Sequence, residues 1–167
     1  MKKIIIVFTI FFSSFINAQQ EIDIDIADAL VMKTLEVSYE YYLGSQNAVG
    51  ISALFNFNDE NSDLSYNENT MITPYFRHYF TNNRNWNYFG EFFVGINSGE
   101  KQVDTRNNQK QFEKYTDGAI GLSVGLKYIS NGGFVISPLL GIGRNMFSDK
   151  SYEIVPRVGV NLGYRFK

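Results

Sequence analysis

Apolar and polar residues alternate one by one through most of the chain, and a period of two is the mark of a β-strand with two unlike faces. From Thr34 to Leu43 the odd positions Leu35, Val37, Tyr39, Tyr41 and Leu43 are apolar, while the even ones carry Glu36 and Glu40. The pattern recurs over Val49–Phe57, Ile72–Phe80, Tyr88–Asn97, Ile120–Tyr128 and Phe134–Gly143. It is cleanest over Ile154–Phe166, where Ile154, Val158, Val160, Leu162, Tyr164 and Phe166 oppose Arg157, Gly159, Asn161, Gly163 and Arg165. Seven segments are well marked. The connections between them alternate: 44–47 short, 58–69 long, 81–87 short, 98–116 long, 130–133 short and 144–152 intermediate.

Single-chain outer-membrane barrels have short periplasmic turns, long outer loops and even strand numbers. An eighth strand is therefore expected ahead of Thr34. Ile22, Ile24 and Ile26 alternating with Asp23, Asp25 and Ala27 supply it, over about Glu21 to Leu30. The hairpin that follows, Val31–Thr34, has no Gly, Pro or Asn. The expected fold is all-β: an eight-stranded antiparallel up-and-down transmembrane β-barrel with a polar, filled lumen.

Composition narrows the function classes. The 167 residues carry a formal charge of −2 and no basic block, so the electrostatic footprint of a nucleic-acid binder is missing. Zero cysteines and one histidine leave no thiol chemistry and little for a metal site. Lys2 and Lys3, the apolar run Ile4–Phe12 and the small residue Ala18 read as a secretory signal peptide over residues 1–18. Residues 19–167 would then form the exported barrel domain, placed in the outer membrane after passage through the periplasm.

Parity assigns the faces. The polar side collects Asp23, Asp25, Glu36, Glu40 and Glu91 with Arg77, Lys127, Arg157 and Arg165, which can pair inside a lumen just wide enough to be filled by side chains. The other side is aliphatic and aromatic, with Tyr41, Phe80, Tyr88, Tyr128, Phe134, Tyr164 and Phe166 gathered as a girdle at the periplasmic ends. A soluble lipocalin-like ligand carrier would need the faces inverted, and 19% charged residues is low for an all-charged exterior.

The leader, the eight alternating segments and the ending Arg157-Val-Gly159-Val-Asn-Leu162-Gly-Tyr164-Arg-Phe166 resemble the small outer-membrane β-barrel domain proteins, the OmpX/OmpA-like class, and within it the DUF3575-like barrels. The resemblance implies residence among outer-membrane lipids. It also implies that Arg157, Gly159, Leu162, Tyr164 and Phe166 serve as the C-terminal signal read by the barrel-assembly machinery.

Several motifs invite chemistry. Gly121-Leu-Ser123-Val-Gly125 matches a nucleophile elbow, but an elbow needs a strand-to-helix turn and Ser123 lies in unbroken alternation. His78 falls two residues before a periplasmic turn, on the wrong side for an enzyme acting on outer-leaflet lipid. Asp23, Asp25 and Asp28 lack the Gly and Glu of a calcium loop. Glu36 and Glu40 are expected to be ion-paired. Pro74, Pro138 and Pro156 fall inside strands, where each must delete a ladder bond; a local bulge is expected at Pro138. No catalytic residue, metal or cofactor is assigned. The expected function is that of a non-enzymatic barrel, structural or surface-binding through extracellular loops 58–69 and 98–116, where an extracellular ligand would bind; the alternatives are a lipid-modifying barrel enzyme and the soluble lipocalin-like carrier.

Overall fold

The computed structural model describes residues 19–27, 29–30, 33–57, 68–81, 85–104, 110–148 and 151–166, and of 102–104 and 110–112 the backbone alone. The expected leader, Asp28, most of loop 58–69 and Lys167 lie outside the described residues. Eight strands follow one another: β1 (Gln20–Asp25), β2 (Thr34–Tyr42), β3 (Asn47–Asn56), β4 (Glu68–Tyr79), β5 (Trp86–Asp104), β6 (Lys110–Ile129), β7 (Phe134–Asn145) and β8 (Ile154–Phe166). Each pairs antiparallel with the next, and β8 pairs with β1, so the sheet closes into a barrel. Closure removes the edges an open sheet would expose.

Side-chain parity is what curls the sheet with one face in. Along β6, Ala119, Gly121, Ser123 and Lys127 are buried while Ile120, Leu122 and Val124 are exposed. The outward set, including Ile22, Ile51, Ile72, Phe92, Leu122, Leu140 and Val158, is 45–64% exposed. Large apolar side chains thus form the outer wall, the reverse of a water-soluble barrel and of a lipocalin-like carrier.

Two boundaries differ from the sequence reading. The first strand stops at Asp25 instead of reaching Leu30. Ile22 and Ile24 face outward, so continuing the ladder would put position 28, an Asp, on the apolar wall, where a charge is costly. The chain leaves the sheet before that cost arises and enters β2 through Lys33 in the left-handed region, φ 53°. The second difference is larger. Residues 98–104 and 110–116, read as parts of a long loop, are strand, paired from Ser98↔Thr116 to Asp104↔Lys110. β5 and β6 therefore run 19 and 20 residues and stand beyond their neighbours as a two-stranded ribbon.

The prolines obey one rule. Phe80 N donates to Tyr88 O, so even-numbered residues of β4 point their backbone groups at β5, and the β4–β5 ladder lapses at Pro74, between Ile72↔Ile96 and Tyr75↔Phe93. In β7, Phe134 O accepts from Ser130 N on the β6 side, and the β6–β7 ladder lapses at Pro138, between Gly125↔Leu139 and Tyr128↔Ile136. The register is the same on both sides of that gap, so the bulge expected at Pro138 is absent. In β8, Val160 N donates to the Asp25 carboxylate at 3.2 Å, which shows even residues facing β1. Pro156 shares that parity but lies beyond the end of β1, whose ladder with β8 stops at Asn161. Its missing N–H falls where no strand is there to receive it.

Candidate functional site

The interior is the one place where unusual chemistry is concentrated, and β1, β2, β4, β5, β6 and β8 each bring charges to it by the same parity. At the end where β1 starts and β8 finishes, Lys127 is fully buried and its ammonium donates to Glu21 and, at 3.0 Å, to Glu40. Arg165 donates to the second Glu21 oxygen from Nε and Nη2 at 3.1 and 3.0 Å, and its guanidinium lies 4.1 Å above the Tyr42 ring. Glu40 is shared further: Arg77 Nη1 donates to it at 2.6 Å and the Tyr79 hydroxyl at 2.6 Å. Arg77 also donates from Nε and Nη2 to one Glu91 oxygen at 2.9 and 2.7 Å. Arg157 continues the chain, 3.3 Å from Glu91 and 3.4 Å from Glu36.

The network thus links Glu21, Lys127, Glu40, Arg77, Glu91, Arg157 and Glu36 across the barrel. Breaking a buried pair strands the partner's charge in a poorly solvated interior, which typically costs about 3–5 kcal/mol. Aromatic faces supply further screening, with Arg77 4.2 Å from the Phe89 centroid and Arg157 5.3 Å from that of Phe93. Phe89, Phe93, Leu139, Leu54, Met71 and Val155 are also inside, in two apolar clusters flanking the ion pairs. "Polar" therefore describes only part of the interior. Glycines set the clearance: a Cβ at Gly163 would collide with the Asp23 carboxylate, and one at Gly125 would stand 2.6 Å from Pro138 O.

Asp23 and Asp25 are both 2% exposed. Asp25 accepts from Val160 N, while Asp23 Oδ1 has no hydrogen-bond partner. Of the C-terminal residues, Arg157 and Gly159 point inward, and Tyr164 and Phe166 point outward with ring centroids 5.3 Å apart. Three interior acids escaped the sequence reading. Glu21 shares the parity of Asp23 and could have been found by extending the pattern two residues. Glu68 could not, because the register shifts between Glu68 and Thr70, and the extra residue turns an even position inward. Asp117 lies between the 98–116 connection and the Ile120–Tyr128 segment, where no pattern marks it; its carboxylate accepts from Phe147 N, Ser148 N and Ser151 Oγ at 2.9, 3.0 and 2.5 Å. Those bonds hold the β7–β8 connection over the outer mouth. Setting aside Asp117 and Lys101 at the mouth, the inward carboxylates Glu21, Asp23, Asp25, Glu36, Glu40, Glu68 and Glu91 number seven against the four bases Arg77, Lys127, Arg157 and Arg165 among the described residues.

The residues that suggested catalysis lie apart. Ser123 is 3% exposed in mid-strand, facing the interior. His78 is on the outer-facing side of the network, its Nδ1 2.8 Å from Asn47 Oδ1 and its ring edge-on to Phe80. Among the described residues no group of three metal-ligating side chains comes together.

An eight-stranded closed meander with charges inside and aliphatic residues outside has the fold of the small outer-membrane barrels of the OmpA/OmpX-like class. The N-terminal β-barrel domain of Pseudomonas aeruginosa OprF superposes with a TM-score of 0.64 at 12% identity, over 89% of this chain and 97% of that one. Neisserial surface protein A gives 0.51 at 10% identity over 89% and 94%, and Ail of Yersinia pestis, crystallised with the heparin analogue sucrose octasulfate, gives 0.50 at 15% over 89% and 99%. Residues 4–165 match the model of the DUF3575 family, described as proteins of unknown function, and the chain belongs to that family. No curated protein matches the sequence.

Proposed function

We propose that this protein is a non-enzymatic integral outer-membrane barrel, exported by residues 1–18, that acts by presenting its outer connections to an extracellular ligand. The observation that carries the reading is the continuous apolar outer wall on a closed barrel whose interior holds the charges. Only helices and closed barrels satisfy their backbone groups in lipid, and a wall of exposed Ile, Leu, Val and Phe is stable there and prone to aggregation in water. The aromatic ends of the strands agree, with Phe80, Trp86, Tyr88, Phe134, Tyr164 and Phe166 exposed near the end where β1 starts and β8 finishes.

The presenting element is chiefly the β5–β6 ribbon, where the sequence had suggested a 98–116 loop; the segment 58–69, whose sequence carries Asp59, Glu60 and Asp63, is the second. The ribbon carries a cross-strand ion pair, Lys114 lying 3.5 Å from Glu100. Ail, of the same fold, was crystallised with a heparin analogue, sucrose octasulfate, and sulfated sugars are accordingly the first ligands to test. The final strand, with Tyr164 and Phe166 outward, is suited to recognition by the barrel-assembly machinery. Buried Ser123 and the isolated His78 speak against lipid-modifying chemistry. Membrane fractionation together with electrophoresis in detergent tests the proposal: the protein should pellet with outer membranes and change mobility on heating. Recovery in the soluble fraction with unchanged mobility would refute it, and an altered lipid A mass spectrum on expression would favour the enzyme.

A further inference from the structure

The excess of inward carboxylates over bases leaves the interior with an uncompensated negative charge, and one of those carboxylates lines a cavity. A space of about 20 Å³, large enough for one water-sized occupant, is bounded by Glu36, Glu68, Thr73, Arg157 and the apolar Leu54 and Met71. Glu68 is 3% exposed, and its Oε1 has no hydrogen-bond partner. It is there because the bulge in β4 reverses its side, so the sheet departs from regular pairing at the position that places it. Glu36, across the cavity, is offset by Arg157 at 3.4 Å, whereas Glu68 is in no ion pair among the described residues. A buried, unpaired carboxylate is expensive unless something compensates it.

We propose that the outer end of the lumen binds a single small monovalent cation, of alkali-metal or ammonium type, on Glu68 with Glu36 and Thr73 as neighbours. The size of the space admits one bare ion and excludes organic cations. Arg157 in the wall, and the absence of a third acid among the described residues, disfavour a divalent ion, which needs more oxygen ligands than this cavity presents.

The experiment uses the purified protein in detergent and does not depend on where the barrel resides. Its unfolding temperature is compared in potassium chloride and in choline chloride at equal ionic strength, since both screen alike but choline is too large to enter. The wild type should unfold several degrees higher in potassium, the difference vanishing in Glu68→Gln. Crystals grown with rubidium should give one anomalous peak beside Glu68, lost in the same variant. Equal unfolding temperatures in the two salts, an unchanged difference in Glu68→Gln, or a wild-type crystal without the peak would overturn the site, as a protonated Glu68 would produce.

Discussion

Glu40 shows why interior charges differ from surface ones. It takes hydrogen bonds from Arg77, Lys127 and Tyr79 and is fully buried, so Glu40→Gln leaves two cations short of a counter-charge. The expected loss is about 3–5 kcal/mol, read from urea unfolding of refolded protein, against less than about 1 kcal/mol for Lys114→Ala in the exposed ribbon pair. At the outer rim, beyond the apolar row that ends at Ile96, Asp117 behaves differently. Partial burial would raise its carboxyl, but the donors from Ser151, Phe147, Gly118 and Ser148 outweigh it and hold the group below the ordinary range. A depressed folded pKa contributes stability above the unfolded value of about 3.9, and that stability is lost as pH falls through the folded value. Proteolysis at residues 146–153 should therefore be slow at neutral pH and rise only in acid below about pH 4. In Asp117→Asn it should be fast throughout, and a wild type equally protected at pH 3 would contradict the role. Parity in the sequence already indicated Asp23, Asp25, Glu36, Glu40, Arg77, Glu91, Lys127, Arg157 and Arg165 as inward. It could not show which of them pair, because partners such as Glu21 and Lys127 are separated by 106 residues and meet only when the barrel closes.

Among the elements, β8 was legible from end to end because every residue of it lies between lipid-facing and lumen-facing surfaces. The β5–β6 extension was not. Above the apolar wall neither face of a strand need be greasy, so Ser98–Asp104 and Lys110–Thr116 carry no alternation, and the ladder alone defines them. The alternation of Ile22, Ile24 and Ile26 overstates β1, because carrying the ladder on to Leu30 brings Asp28 to the parity of the apolar wall. The prolines yield a prediction at this scale. Pro138→Val returns an N–H to a ladder gap with β6 still opposite, so it should stabilise by about 1 kcal/mol in urea unfolding. Pro156→Val restores a donor with no strand to receive it and should give no gain. Equal gains at both positions would mean that the gaps do not arise from the missing donors.

For the molecule as a whole, the proposed export, membrane residence and ligand presentation rest on one arrangement: a wall suited to lipid, a cross-linked interior, and a ribbon beyond the wall. Trimming the ribbon by joining residue 99 to residue 115 should leave heat-modifiable mobility intact, because the remaining barrel keeps its closed ladder and its ion pairs. Loss of folding on trimming would show the ribbon to be structural. Fold class and face assignment could be read in the sequence because lipid and lumen impose opposite demands on alternate residues. A ligand could not, because no such alternation governs the outer connections.

The central claim is that the apolar parity faces lipid. The chain has no cysteine, so single cysteines can be placed at successive positions 120–126 of β6 and labelled with an environment-sensitive fluorophore after reconstitution in bilayers. Quenching by lipids with brominated chains should be strong at positions 120, 122, 124 and 126 and weak at 121, 123 and 125. Quenching without that alternation, or strongest at the odd positions, would contradict it.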